Sequence, residues 1–293
     1  MVETSGRRAP LSGTWSEAAA ARGWLVNTVP KSGTYMVARL LEELGLRNSR
    51  LHLVDTGYYD FRDLQLPNMA ADGEVPLQPE PTRRALRRVG PGRFAVAHLQ
   101  FGDEAAALAE QVRLFCIRDI HDALISQMRF VADPRRRGFP SEDWMTLDDP
   151  RRRFVGFLQA HGAAFVAYAR GFLPWMFQDS VLVCRFEALA GDFGRESQAG
   201  LLEAICAQVG APPPADLVEL FETRVRGWAT RTYSGERSQR DAYFSDEARS
   251  LCARLGTGAV NNGFGYGPAP AGRAAARSRA TRATTSSQAP AAR

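Results

Sequence analysis

Residues 24–35 read W-L-V-N-T-V-P-K-S-G-T-Y, which predicts a buried strand, a short loop and the start of a helix. The apolar run 24–29 ends at Pro30, and proline cannot continue a strand ladder because it lacks a backbone N–H. Apolar residues then recur at helical spacing over about 33–44, and Gly45 is a typical helix stop. A corner of this kind presents backbone N–H groups and a positive helix end, which attract phosphate or sulfate.

Lys31, in this corner, is the only lysine of the chain, and the other 36 of the 37 basic residues are arginines. The bias suits a GC-rich genome, which favours a bacterial source. A lysine ammonium is a compact point charge on a slim stem, whereas a guanidinium is a planar fork that needs more room. We therefore interpret Lys31 as a residue whose place an arginine cannot fill.

The composition is that of a globular protein, with 293 residues, 45% hydrophobic and 10% aromatic. No apolar run approaches the roughly 20 residues of a membrane span, and the first residues lack the apolar core of a signal peptide. The four cysteines lie far apart and form no CxxC pair, so we expect neither a disulfide framework nor a zinc site. These features predict a cytoplasmic protein with reduced thiols.

The net charge of +5 originates in the segment 268–293, which contains five arginines and no acid. Removing those five from 37 basic residues leaves 32, which equals the 32 acids of the chain, so residues 1–267 carry no net charge. This balance argues against a nucleic-acid-binding body. We predict a loosely ordered N-terminus at 1–22, one domain at 23–267 and a disordered basic tail at 268–293.

Strands and helices are predicted to alternate along the domain, which indicates a single three-layer α/β domain with a mostly parallel central sheet. Residues 46–93 contain several prolines and give no clear prediction apart from a short helix near 82–89. In a parallel sheet the ligand lies beyond the carboxyl ends of the strands, where Lys31, His98 and Arg118 are expected. The other predicted strands are 94–99, 112–117 and 181–184, and the other helices are 119–130, 151–170, 196–209, 215–226 and 245–255.

The loop does not have the Walker A pattern GxxxxGK[ST]. No glycine stands five residues before Gly33, and Lys31 precedes that glycine instead of following it. An ordinary P-loop kinase or ATPase is therefore disfavoured. It stays open as an alternative, together with a non-catalytic nucleotide-binding protein.

Pro-Lys-Ser-Gly-Thr after a strand resembles the 5′-phosphosulfate loop of the cytosolic-type sulfotransferases, which have a P-loop NTPase-like fold. These enzymes transfer a sulfuryl group from 3′-phosphoadenosine 5′-phosphosulfate (PAPS). The resemblance covers roughly 23–267, and further segments match in the family's order. They are FAVAHL at 94–99, LFCIRD at 114–119, CRFEAL at 184–189 and TYSGERS at 232–238.

The resemblance implies a role for each matching residue. His98 takes the place of the catalytic base, and Arg118 and Ser126 take the places of the 3′-phosphate ligands. Lys31 is expected to stabilise the bridging oxygen as the bond to sulfur breaks, because sulfuryl transfer depends on positioning and electrostatics. The implied donor-binding residues are Lys31, Ser32, Gly33, Thr34, Tyr35, Arg118, Ser126, Gly235 and Arg237.

The chain departs from the family pattern in its late loop, where the usual Arg-Lys-Gly reads Tyr-Ser-Gly at 233–235. Arg231 or Arg237 could supply the missing charge. Arg240 replaces a later tryptophan, and Tyr35 lies where an aromatic often stacks on adenine.

We therefore predict a PAPS-dependent sulfotransferase that acts on a hydroxyl or amine, with a strand–loop–helix phosphosulfate-binding corner and no metal. The acceptor class stays open between a small molecule and a glycan or peptide, and a homodimer also stays open. The three histidines outside the matching segments are interpreted as structural or surface residues: His52, His121 and His161.

Overall fold

A computed structural model of the protein describes residues 23–62, 75–133, 141–226 and 240–267. The strands in these ranges form a single sheet. They are β1 (Trp24–Thr28), β2 (Arg47–Val54), β3 (Gly57–Asp60), β4 (Gln78–Pro79), β5 (Arg93–His98), β6 (Val112–Ile117) and β7 (Leu182–Arg185).

The sheet order is β4-β3-β2-β5-β1-β6-β7, which puts β1 between β5 and β6. The five strands from β2 to β7 in this order pair in parallel, whereas β3 and β4 add an antiparallel edge. The carboxyl ends of β5, β1 and β6 therefore meet at one edge of the sheet. Connections from β1 and β6 leave in opposite directions, which creates a crevice of the kind that binds ligands in α/β folds.

Helices cover both faces of the sheet in the described ranges. They are α1 (Thr34–Glu43), α2 (Thr82–Arg87), α3 (Asp103–Ala106), α4 (Ile120–Val131), α5 (Pro150–Phe157), α6 (Ala163–Arg170), α7 (Phe186–Leu189), α8 (Arg195–Val209), α9 (Leu217–Leu220), α10 (Arg240–Tyr243), α11 (Asp246–Leu255) and α12 (Thr257–Gly263). Short π-helical segments continue α5 at Leu158–Gly162 and α9 at Phe221–Val225.

Two apolar clusters hold the layers together. One packs α4, α5, α6, α11 and α12 onto the sheet through side chains such as Leu25 and Phe115. The other packs α1, α8 and α9 onto the opposite face through Trp24, Val26 and Leu114. Because side chains alternate along a strand, Leu25 and Val26 serve opposite clusters.

The predicted three-layer α/β domain with a mostly parallel sheet is confirmed, and the three strands predicted after β1 match β5, β6 and β7 within one or two residues. The interpretation of 46–93 was incomplete. This segment contains the strands β2, β3 and β4, and the first half of β2 is mostly polar, so it gives little apolar signal. The short helix expected near 82–89 is α2.

No helix in the described ranges is long and apolar enough to cross a membrane. The predicted N-terminal segment 1–22 and basic tail 268–293 lie outside the described residues. Their predicted disorder stays a prediction.

Candidate functional site

The loop between β1 and α1 turns through two left-handed backbone conformations. Lys31 has φ 68° and Gly33 has φ 86°. The turn is closed by the Ser32 N–H, which donates to the carbonyl oxygen of Val29 at 3.2 Å. A left-handed conformation is unusual for lysine and is typical of functional loops. The first N–H groups of α1 follow this turn and have no partner within their own helix.

Glycine is required at position 33 for two reasons. Its positive φ disfavours any side chain, and a Cβ there would lie 2.9 Å from Cδ2 of Phe186. Phe186 comes directly after β7, so the loop and the end of β7 are in contact. The same ring lies 4.1 Å from the guanidinium carbon of Arg118.

Two buried hydrogen-bonding groups beside this loop have no partner among the described residues, namely Ser32 Oγ and Arg118 Nε. Arg118 is 8% exposed, and its Nη1 donates to the carbonyl oxygen of Lys31 at 3.4 Å. A buried group without a partner is costly, so such groups in a native protein call for a ligand or another explanation. A hydroxyl and a guanidinium N–H suit an oxyanion.

His98 is tied to the loop through Thr28, the last residue of β1. His98 Nδ1 lies 2.8 Å from the Thr28 carbonyl oxygen and 3.0 Å from Thr28 Oγ1. Thr28 Oγ1 in turn lies 2.7 Å from Thr34 Oγ1. A carbonyl only accepts, so Nδ1 carries the hydrogen, which makes Nε2 the basic nitrogen of the neutral ring.

Burial is the main cause that lowers the pKa of His98, to about 4; the bond to Thr28 opposes this shift, and the nearby charge of Lys31 adds to it. The imidazole is therefore neutral at pH 7. A neutral ring with a free lone pair on Nε2 is the form that a general base requires.

The ammonium of Lys31 lies over the ring of Phe130, with 3.9 Å between Nζ and the ring centroid. Phe130 belongs to the last turn of α4. The cation–π contact holds the charge close to the loop.

The segment after β6 is anchored by the short helix α7, which follows β7 directly. Glu187 accepts a hydrogen bond from the Asp119 N–H at 3.0 Å and another from the Tyr266 hydroxyl at 2.5 Å. Arg185 Nη2 donates to the Gly265 carbonyl oxygen at 2.9 Å. Successive residues of the Arg-Phe-Glu motif thus hold residues from three separate parts of the chain.

Asp119 caps α4 by accepting the His121 N–H at 2.8 Å. Arg240 bridges Asp119 and Asp122 at 2.7 Å and 2.8 Å. Burial would raise the pKa of Asp119, but the bonds from His121 and Arg240 outweigh it and lower that pKa. Arg240, which stands where the sequence resemblance implies a tryptophan, thus reinforces the start of the helix that follows Arg118.

Ser126 lies half-buried within α4, the helix that begins just after Arg118, and its predicted role stays a prediction. The predicted donor ligands Gly235 and Arg237, and the alternative Arg231, lie outside the described residues. Among the residues that the structure describes, no group of histidine, cysteine and acidic side chains is arranged as a metal site.

His52 is a neighbour of His98 that the sequence interpretation missed. It lies on β2, is 6% exposed, and its ring centroid is 4.5 Å from that of His98. Its Nδ1 lies 3.0 Å from the hydroxyl of Tyr35, which was expected near adenine. The other two histidines make hydrogen bonds elsewhere, His121 with Thr257 and His161 with Glu142.

The residues after His98 are held from both sides. The Asn27 side chain exchanges two hydrogen bonds of 2.9 Å with the backbone of Leu99. The hydroxyl of Tyr168 donates to the His98 carbonyl oxygen at 2.9 Å, and Asp55 accepts the Gln100 N–H at 2.9 Å. These contacts give the carboxyl end of β5 a defined position beside the loop.

No model of a known protein family matches the chain, and no curated protein matches its sequence. Solved structures do match. The crystal structure of mouse sulfotransferase SULT7A1 complexed with PAP is 13% identical, with 84% of this chain and 89% of that chain covered and a TM-score of 0.53. The fold is that of a sulfotransferase. At this identity the likeness establishes the sulfotransferase fold alone.

Proposed function

We propose that the protein is a sulfotransferase that transfers a sulfuryl group from PAPS to a hydroxyl or amine of an acceptor. The observation that carries the proposal is a pair of buried donor atoms, Ser32 Oγ and Arg118 Nε, that find no hydrogen-bond partner in the described part of the chain, within a sulfotransferase fold. Support also comes from the solved structure with this fold, which is complexed with PAP.

The proposed roles follow from chemistry. The N–H groups of Ser32, Gly33 and Thr34 bind the 5′-phosphate, with the Thr34 hydroxyl as a further donor. Arg118 and Ser126 bind the 3′-phosphate, to which a guanidinium donates charge-assisted hydrogen bonds that are stronger than neutral ones. Lys31 neutralises the charge that develops on the leaving phosphate oxygen.

His98 takes the acceptor proton on Nε2 as the acceptor oxygen or nitrogen bonds to sulfur and the bond from sulfur to the phosphate oxygen breaks. The products are the sulfated acceptor and adenosine 3′,5′-bisphosphate (PAP). The bond from Nδ1 to Thr28 keeps Nε2 free for this step. No residue in the proposed mechanism is assigned to a metal.

Binding is tested by thermal unfolding with PAP and, separately, with ATP and Mg²⁺. We expect PAP alone to raise the melting temperature, and Arg118→Ala and Lys31→Ala to reduce the increase. Arg113→Ala is the matched control, because Arg113 lies near the other end of β6 and its Nη1 bonds to the carbonyl oxygen of Gln208. Stabilisation by both nucleotides, or by neither, would overturn the assignment.

Chemistry is tested by incubating the protein with ³⁵S-labelled PAPS and a panel of phenols, alcohols, amines, sugars and tyrosine peptides. Label transfer that His98→Ala abolishes supports the enzyme. PAP binding with no label transfer beyond the His98→Ala background would instead indicate a non-catalytic nucleotide-binding protein.

A further inference from the structure

Two consecutive residues of α1 reach His98 by separate routes. Thr34 reaches it through the hydroxyl of Thr28, with contacts of 2.7 and 3.0 Å. Tyr35 reaches it through His52, first by the 3.0 Å contact from its hydroxyl to His52 Nδ1 and then by the ring contact. The base is thus connected twice to the helix that follows the phosphate loop.

The ring contact is a consequence of sheet register. In the parallel pair of β2 and β5, His52 is opposite Val96 and Val54 is opposite His98. The two histidines are therefore diagonal neighbours on one face, which is within reach of ring side chains. Their rings meet at 65°, an edge-to-face arrangement.

The two routes constrain different features of His98. A hydrogen bond at Nδ1 fixes one atom of the imidazole, but the torsion that sets the ring plane has broad minima. The buried ring of His52 meets the His98 ring edge-to-face and so restricts this torsion. The Tyr35 hydroxyl holds His52 through its Nδ1, so the orientation of His98 depends on Tyr35 although these two residues are not bonded to each other.

We propose that Tyr35 and His52 are positioning residues that fix the ring plane of His98 and connect it to the donor-binding loop. The role in transfer rests on the proposed function, whereas the connection itself is a property of the protein without ligands. The proposal gives Tyr35 the role of positioning His98 instead of that of stacking on adenine.

The connection is tested by NMR of the unliganded protein with ¹⁵N-labelled histidine. The chain has four histidines, so the ring signals are few, and His98→Gln identifies those of His98. Tyr35→Phe removes the hydroxyl that contacts His52, and the ring of His52 contacts that of His98. We therefore expect this variant to shift or broaden the His98 signals. Tyr243→Phe, on α10, is the control and leaves them unchanged.

A double-mutant cycle separates the proposed connection from a general disturbance. In a His52→Phe background the Tyr35 hydroxyl has lost its nitrogen partner, so adding Tyr35→Phe should leave the His98 signals where His52→Phe put them. An equal shift in both backgrounds, or no shift in the wild-type background, would overturn the proposal. Melting temperatures show that each variant is folded.

PAP affinity and turnover then test the role. We expect Tyr35→Phe to keep the Kd for PAP within about twofold of wild type, because a tenfold change would require a lost interaction with the ligand of about 1.4 kcal/mol. With an acceptor found by the screen, kcat falls about fivefold while the KM for PAPS stays constant, as expected for loss of one neutral hydrogen bond to a positioning residue.

A tenfold weaker Kd in Tyr35→Phe would overturn the positioning role. Wild-type protein that does not bind PAP would overturn the proposed function, and the NMR cycle would still decide the connection.

Discussion

The hydroxyl of Tyr266 donates a 2.5 Å hydrogen bond to the carboxylate of Glu187. Tyr266 is near the end of the last described range, and Glu187 belongs to the short helix after β7. Through the second bond of Glu187, to the Asp119 N–H, the end of the domain supports the residues beside Arg118.

We expect Tyr266→Phe to destabilise the protein by about 1–2 kcal/mol, because it leaves a largely buried carboxylate without one of its donors. Urea unfolding at pH 7 measures this change. Tyr243→Phe is the control, and equal losses in the two variants would contradict the prediction.

Gly33→Ala should cost more stability than Gly45→Ala. Both glycines have φ near 86°, but a Cβ at Gly45 meets nothing within 4 Å, whereas one at Gly33 meets Phe186. Gly45→Ala therefore measures the backbone cost alone, about 1 kcal/mol. We expect Gly33→Ala to lose at least about twice as much in urea unfolding, since overpacking adds about 1–3 kcal/mol. Equal costs would show that the loop moves away from Phe186 without strain.

Lys31→Arg should separate charge from shape. The positive charge remains, so we expect PAP binding by calorimetry to change by less than about tenfold, or 1.4 kcal/mol. We expect the planar guanidinium not to reproduce the position of the compact ammonium over Phe130, so sulfuryl transfer should fall by at least about tenfold. Arg39→Lys, on the outer part of α1, is the matched control. A Lys31→Arg variant with wild-type turnover would contradict the requirement for lysine.

The low pKa of His98, about 4, predicts that stability falls on acidification. An unfolded histidine has a pKa of about 6.5, so between about pH 6.5 and 4 the unfolded state binds more protons than the folded state. The contribution of His98 to the free energy of unfolding is therefore fully present above this window and is lost as the pH falls through it. From pH 7 to pH 5 the contribution of His98 is about 2 kcal/mol.

Urea unfolding of wild type and His98→Gln at both pH values isolates this contribution, because the other titrating groups are shared. We expect the variant to lose less stability between pH 7 and pH 5. Parallel losses in the two proteins would show that His98 titrates normally in the folded state.

The strand–loop–helix corner could be predicted from the sequence, whereas the residues that surround it in the fold could not. The strands 24–28 and 112–117 are short, mostly apolar runs, so their position and the placement of Lys31 and Arg118 at strand ends could be predicted. His52 could not be found, because it becomes a neighbour of His98 only through the register of β2 with β5. Polar residues begin β2, and that pattern does not indicate a strand.

The same limit applies to the contacts that support the site. Arg185, Phe186 and Glu187 were recognised as a motif, but the hydrogen-bond partners of Arg185 and Glu187 are 68 to 80 residues away in sequence. Asn27 is a polar residue within an apolar run, and its function became clear only from its two bonds to Leu99. Such long-range hydrogen bonds leave no local pattern in a sequence.

The order of the strands separates the corner that carries Lys31 and Arg118 from the antiparallel edge of the sheet, so evolution or an engineer could change these two regions independently. β1 and β6 carry the loop and Arg118 in the middle of the sheet, whereas β3 and β4 form its antiparallel edge. β2 ends at Val54, opposite the proposed base His98, whereas the chain enters β5 at Arg93, at the far end of that strand. The edge strands β3 and β4 lie between these two points in the sequence. Under the proposed function, we expect an exchange of β3 and β4 between proteins of this fold, with His52 and Asp55 retained, to change the acceptor while the donor corner stays intact.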